Sequence, residues 1–172
     1  MLTSFRSWLL GKVRHTICSR NGAVLMLGTI GDPDQGERSM VTLSDARAII
    51  DAAEARAQEI GQPMNIAVVD AGGNLIAHVR MDGAWLGSID ISIKKAFTSR
   101  AFDIATHDLA GEAQPGKQFY GIQESNGGRI MIFAGGIPLK RGGKVVGAIG
   151  VSGGAGAQDQ SVAEAGAAAF RQ

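Results

Sequence analysis

The sequence predicts an α+β fold with a largely antiparallel sheet, and three observations carry that reading. Apolar residues recur at helical spacing in three separate segments. Short β-branched runs lie beside five glycine doublets, at 72–73, 127–128, 135–136, 142–143 and 153–154. The two patterns then follow one another as helix, hairpin, helix, long loop, three-strand meander, helix.

The first helix has a clear start and stop. Thr42 precedes Asp45 by three residues, which approximates a capping box. Ala46, Ile49, Ile50, Ala53, Ala57 and Ile60 follow on one stripe until Gly61 and Pro63 end the element. Asn65–Val69 is apolar on both faces and reads as a buried strand, and the Asp70-Ala-Gly-Gly-Asn74 turn leads into a second strand, Leu75–Met81. Strand alternation there puts His78 and Arg80 on the same face.

A second helix begins at Ser88 and runs along Ile89, Ile93, Ala96, Phe97, Arg100 and Ile104, with Asp90 and Lys94 spaced as an ion pair. Residues 106–128 show no sustained period and read as a long loop, a feature that in compact domains is functional or mobile. Arg129–Ala134, Ile137–Lys140 and Val145–Val151 read as three strands joined by the Gly135-Gly136 and Arg141-Gly-Gly-Lys144 turns. The last helix, about Ala157 to Phe170, carries Val162, Ala165, Gly166 and Ala169, and these small residues predict close packing on a glycine-bearing strand.

Composition narrows the function classes. The chain has 172 residues, enough for one domain with a good core, of which 45% are hydrophobic and 19% charged. A net charge of +1 gives no general electrostatic grip on nucleic acid, and the apolar run Ala23–Ile30 is too short to span a bilayer. Cys18 is the sole cysteine, so the chain has neither an internal disulfide nor a thiolate cage. A cytoplasmic location is expected. Residues 1–39 collect Arg6, Lys12, Arg14 and Arg20 before the first acid, Asp32, and depart in character from the rest. They read as an extension without fold or chemistry, with Met40 as the native start and residues 40–172 as a single domain.

Several motifs fail on their context. Gly150-Val-Ser-Gly-Gly154 fits the G-x-S-x-G elbow of hydrolases, but no histidine follows Ser152, which reads instead as a turn or helix-entry residue. The Rossmann fingerprint and the P-loop are absent, and His15, His78 and His107 lack metal-ligand spacing.

The remaining candidates offer groups that could hold a ligand. His78 with Arg80 offers an imidazole beside a guanidinium, suited to an acidic ligand or a haem; otherwise the pair lies on a half-exposed strand face meeting water or another subunit. Lys94 and Lys95 are either a carboxylate-binding pair or one ion-paired and one solvated lysine. The segment 120–128, with Tyr120, Glu124, Asn126 and three glycines, can present amides and acceptors to a small ligand or satisfy its own backbone.

Ordered strings in the chain resemble those of the GlcG/HbpS family. They are Met64–Leu75, Arg80-Met-Asp-Gly-Ala84, Ile91–Ala96, Gly135-Gly-Ile-Pro138 and Gly147–Gly154, followed by Gln158-Asp-Gln160. The resemblance covers about Val41 to Phe170. It implies a haem-binding or "haem-degrading" domain, of the kind also found at the C-terminus of PduO-type corrinoid adenosyltransferases. It implies a profilin-like antiparallel sheet flanked by helices and a homo-oligomer, from dimer to octamer, with a small-molecule or tetrapyrrole ligand and neither nucleic acid nor membrane as partner.

Two functions follow from it. In the first, haem or another tetrapyrrole is bound and weakly degraded. His78, Met81, His107, Tyr120 and Lys94 are then candidate axial donors, His78 foremost, and Arg80, Lys95 and Arg129 candidate propionate partners. In the second, the chain is an accessory enzyme or carboxylate-binding protein of glycolate, diol or aromatic breakdown. Arg80 would there hold the carboxylate, Glu124 or His78 act as acid or base, and Asn126 orient the ligand.

Overall fold

The structure, a computed structural model, describes residues 40–170; the expected fold-free extension at 1–39 lies outside the described residues. Helix α1 (Leu43–Glu59) is followed by strands β1 (Asn65–Val69) and β2 (Leu75–Arg80), helix α2 (Ser88–Phe102) and helix α3 (Thr106–Glu112). Two short 3-10 turns, Ile122–Glu124 and Asn126–Gly128, lead to β3 (Gly136–Arg141), β4 (Lys144–Ser152) and helix α4 (Gly156–Ala169). The four strands form one antiparallel sheet in the order β2-β1-β4-β3, so the expected α+β sheet flanked by helices is what the chain adopts.

Local chemistry sets the element boundaries. Thr42 Oγ1 accepts from Asp45 N–H at 3.1 Å while the Asp45 carboxylate accepts from Thr42 N–H at 2.9 Å, closing the capping box of α1. Asp70 Oδ1 accepts from the amides of Gly72 and Asn74 and shapes the β1–β2 turn. Gly142 and Gly143, with φ of 56° and 77°, make the β3–β4 turn with the backbone twist that hairpins favour.

The two faces of the sheet are covered differently. Ile66, Val68, Leu139, Ile149 and Val151 pack with α1 and α4 into the main aliphatic core. Ala67, Val69 and Ala148 face α2 through Ala96 and Ile93. Helix α2 lies close enough to β4 that a Cβ on Gly150 would collide with Ser92 O and Ala96 N. Gly166 of α4, by contrast, lies against Ile149 and the backbone of α1 at Ile49. The small residues of the last helix therefore serve a helix–helix contact as much as a sheet contact. The last helix does pack closely on the glycine-bearing strand, at Ile149, while Gly150 of that strand faces α2 on the other side.

Two expectations are corrected. Residues 106–112 form α3, too short for a period to emerge; only Thr106 and Leu109 are buried in it. Residues 129–134 are not a strand. The Met131 amide donates to Thr98 Oγ1 at 2.9 Å rather than to a neighbouring strand, and Gly135, with φ of 110°, interrupts the chain just before β3. The expected meander is thus a single hairpin. Among the described residues no helix is long and apolar enough to cross a membrane.

Candidate functional site

The first candidate is the outer part of the α2-facing surface, on edge strand β2. His78 lies opposite Ala67 and Arg80 opposite Asn65, so both point to the side of the sheet that carries α2, as strand alternation predicts. Arg80 Nε donates to Ala84 O at 2.9 Å and Asn65 Nδ2 donates to Trp85 O at 3.0 Å. These bonds fasten the loop that enters α2 onto the strand ends. Arg80 has no carboxylate partner among the described residues.

His78 is half-buried, and its Nε2 is buried without a hydrogen-bond partner. Burial lowers the imidazole pKa below its ordinary 6.5, which favours the neutral ring. A neutral ring with a nitrogen no protein group has claimed can act as a donor to iron or accept a proton.

The second candidate is a cavity of about 490 Å³ at the end of the sheet. Trp85, Ile91, Ile132 and Phe133 form its apolar wall, and Ser88, Lys95, Ser152 and Asp159 its polar floor. Lys95 is only 1% exposed and Asp159 3%. The Lys95 ammonium donates to Asp159 Oδ2 at 2.6 Å and to Val151 O at 2.8 Å. The other carboxylate oxygen, Oδ1, accepts from the Gly153 and Gly154 amides at 3.1 and 2.9 Å. Burial pulls the Lys95 pKa down while the hydrogen bond and charge of Asp159 oppose it. With its anion in contact and a carbonyl beside it, we assign Lys95 as the ammonium form.

The structure separates the other sequence candidates. Lys94 pairs with Asp90 at 2.8 Å, the i,i+4 pair expected. Lys95 is not the solvated lysine that one reading of the Lys94-Lys95 pair allowed, because the close approach of α2 to β4 carries its side chain past the sheet end to α4. His107 pairs with Asp108 on the surface, and Met81 Sδ accepts from Met64 N–H at 3.4 Å. Arg129 stacks 3.6 Å above the Phe97 ring. Tyr120, Glu124 and Asn126 are exposed on the 3-10 segment, where Asn126 Nδ2 donates to Ser125 Oγ. No hydrogen bond or ion pair joins Arg80 to Glu124 or Asn126 among the described residues.

Sequence reasoning missed Asp159, Trp85 and Phe133, and it put Ser152 in a turn when it ends β4. One signal was in view: the acid of Gln158-Asp-Gln160 follows a glycine doublet whose amides need an acceptor.

Fold and sites together define a small single-sheet α+β domain with a histidine-bearing edge and a polar cavity. Residues 41–168 match the family model described as "Haem degrading protein HbpS-like", and the chain belongs to that family. A Citrobacter freundii protein described as an uncharacterized 15.0 kDa protein of the dhaT–dhaS intergenic region is 46% identical over 124 residues, covering 72% of this chain and 87% of that protein. The corrinoid adenosyltransferase PduO of Salmonella typhimurium is 37% identical over 140 residues; these make up 80% of this chain but only 42% of PduO. Among solved structures, a PduOC–haem complex superposes with a TM-score of 0.72 at 37% identity, covering 74% of this chain and 93% of that one.

Proposed function

We propose that this chain is a haem- or tetrapyrrole-binding domain. The observation that carries the reading is its likeness, in sequence and fold, to a structure described as a complex with haem. Haem binding asks for an axial donor and cations that can meet propionates. His78 and Arg80 fit that requirement: an unclaimed, neutral imidazole nitrogen, and a guanidinium on the same face of an edge strand. A haem held there would supply redox-active iron. The chain's own part is to present His78 Nε2 in its neutral form, to place the Arg80 charge two residues away, and to hold the adjoining loop through Ala84 and Trp85. Weak degradation of the bound tetrapyrrole belongs to the same reading. So do a cytoplasmic location and a homo-oligomer of two to eight chains, for which the exposed Trp85, Leu86 and Phe133 offer apolar contact surface.

Titration of the full chain with hemin, with serum albumin as competitor, tests the reading. We expect a Soret band that saturates at one haem per chain or per dimer, survives competition, and shifts or disappears in His78→Ala. Loose binding stripped by albumin would overturn it.

The accessory-enzyme reading finds some support in the relative encoded between dhaT and dhaS. The residues first assigned to it, Arg80, Glu124 and Asn126, are joined by no bond, so a carboxylate ligand needs another location.

A further inference from the structure

The polar floor of the sheet-end cavity has spare donors and spent acceptors. The Asp159 carboxylate already accepts from Lys95, Gly153 and Gly154. Lys95 has three ammonium N–H groups, and Val151 O and Asp159 account for two. The third has no protein acceptor. Ser88 is 3% exposed and Ser152 5%, and neither hydroxyl makes a hydrogen bond among the described residues, although both line the cavity. Gly156, the first residue of the 14-residue helix α4, also lines it, and an amide at that position has no intrahelical acceptor.

Buried donors without acceptors cost free energy, and in native proteins a ligand or water commonly supplies the missing partner. Here three buried side chains, Ser88, Lys95 and Ser152, and the exposed first turn of α4 bring donors without a protein acceptor to one cavity, whose volume falls in the range of small-molecule sites. The wall opposite the floor is apolar, with Trp85 64% and Phe133 58% exposed at its rim.

We infer that this cavity binds a small organic monocarboxylate, its two oxygens accepting from Ser88, Ser152, Lys95 and the start of α4, and its apolar body lying against Trp85, Ile132 and Phe133. The charge balance selects the class. Asp159 already offsets the Lys95 charge, and its carboxylate repels a dianion, so a single negative charge met by neutral donors and a helix N-terminus suits the site better than phosphate. A purely apolar molecule would leave the donors unmet. Neither His78 nor Arg80 lines this cavity, so the two proposals rest on different polar groups.

The test is calorimetric titration of the full chain with benzoate, phenylacetate and isobutyrate, with benzyl alcohol and inorganic phosphate as controls. At least one carboxylate should bind saturably, and both controls about tenfold or more weakly. Ser88→Ala and Ser152→Ala should each weaken that carboxylate about tenfold, the usual scale for losing one hydrogen bond to a charged group. Neither serine hydroxyl bonds a protein group among the described residues, so the test does not depend on Lys95 variants folding. The inference fails if no carboxylate binds, if a control binds equally well, or if both serine variants retain wild-type affinity. Haem binding is read separately at the Soret band, so either proposal can fall while the other stands.

Discussion

The two faces of the sheet are built from different residues. Under α1 and α4 the buried residues are almost all aliphatic, the exception being Asp159 in the first turn of α4, which reaches the cavity and pairs with Lys95. Under α2 the helix buries Ser88, Ser92, Lys95, Thr98 and Ser99 beside a single alanine, and both candidate sites open on this side. A face of branched aliphatics derives its stability from area removed from water. A face of small and polar residues must instead satisfy each donor and acceptor, and it gains specificity of position in exchange. On the two proposals above, the first face serves folding and the second carries the ligands.

Breaking the Lys95–Asp159 pair should damage the second face most. Lys95→Met leaves a buried carboxylate with only the Gly153 and Gly154 amides, and should cost about 3–5 kcal/mol in urea unfolding. A loss below about 1 kcal/mol would mean that the pair is open to water. Gly150→Ala should come next, at about 3 kcal/mol, because its Cβ would strike α2 backbone that cannot move without lifting the helix. A neutral result in the same denaturation series would show that α2 is not held so tightly.

The smallest effect sharpens the comparison through pH. His78 has a lowered pKa in the folded chain, so below the unfolded value of about 6.5 the unfolded chain binds the proton first. Its contribution to stability is therefore complete above that pH and is lost as the pH falls towards the folded pKa. His78→Gln should flatten this part of the unfolding-midpoint profile between pH 7 and 5. An identical slope in both proteins would show that the ring is solvated.

The aliphatic face was the more legible in sequence. The stripe from Ala46 to Ile60, the capping box, both hairpin turns and the shared face of His78 and Arg80 are local patterns, and local patterns survive into the fold. The site under α2 was less legible because its partners are distant. Lys95 and Asp159 stand 64 residues apart, so the i,i+4 spacing that identified Asp90–Lys94 said nothing of them. Residues 129–134 carry strand-like composition, yet Thr98 takes the Met131 amide and Ile132 and Phe133 line a cavity. Helix α3 was missed because seven residues complete barely two turns.

The sheet order has a consequence for how the site comes into being. Each hairpin, β1–β2 and β3–β4, closes over a short stretch, whereas the β1–β4 seam joins Asn65 to Ser152 across most of the domain. That long-range seam holds the end of β4 where Lys95 reaches round it to Asp159. The cavity thus depends on the long-range seam. No half-assembled chain, and neither hairpin alone, carries it.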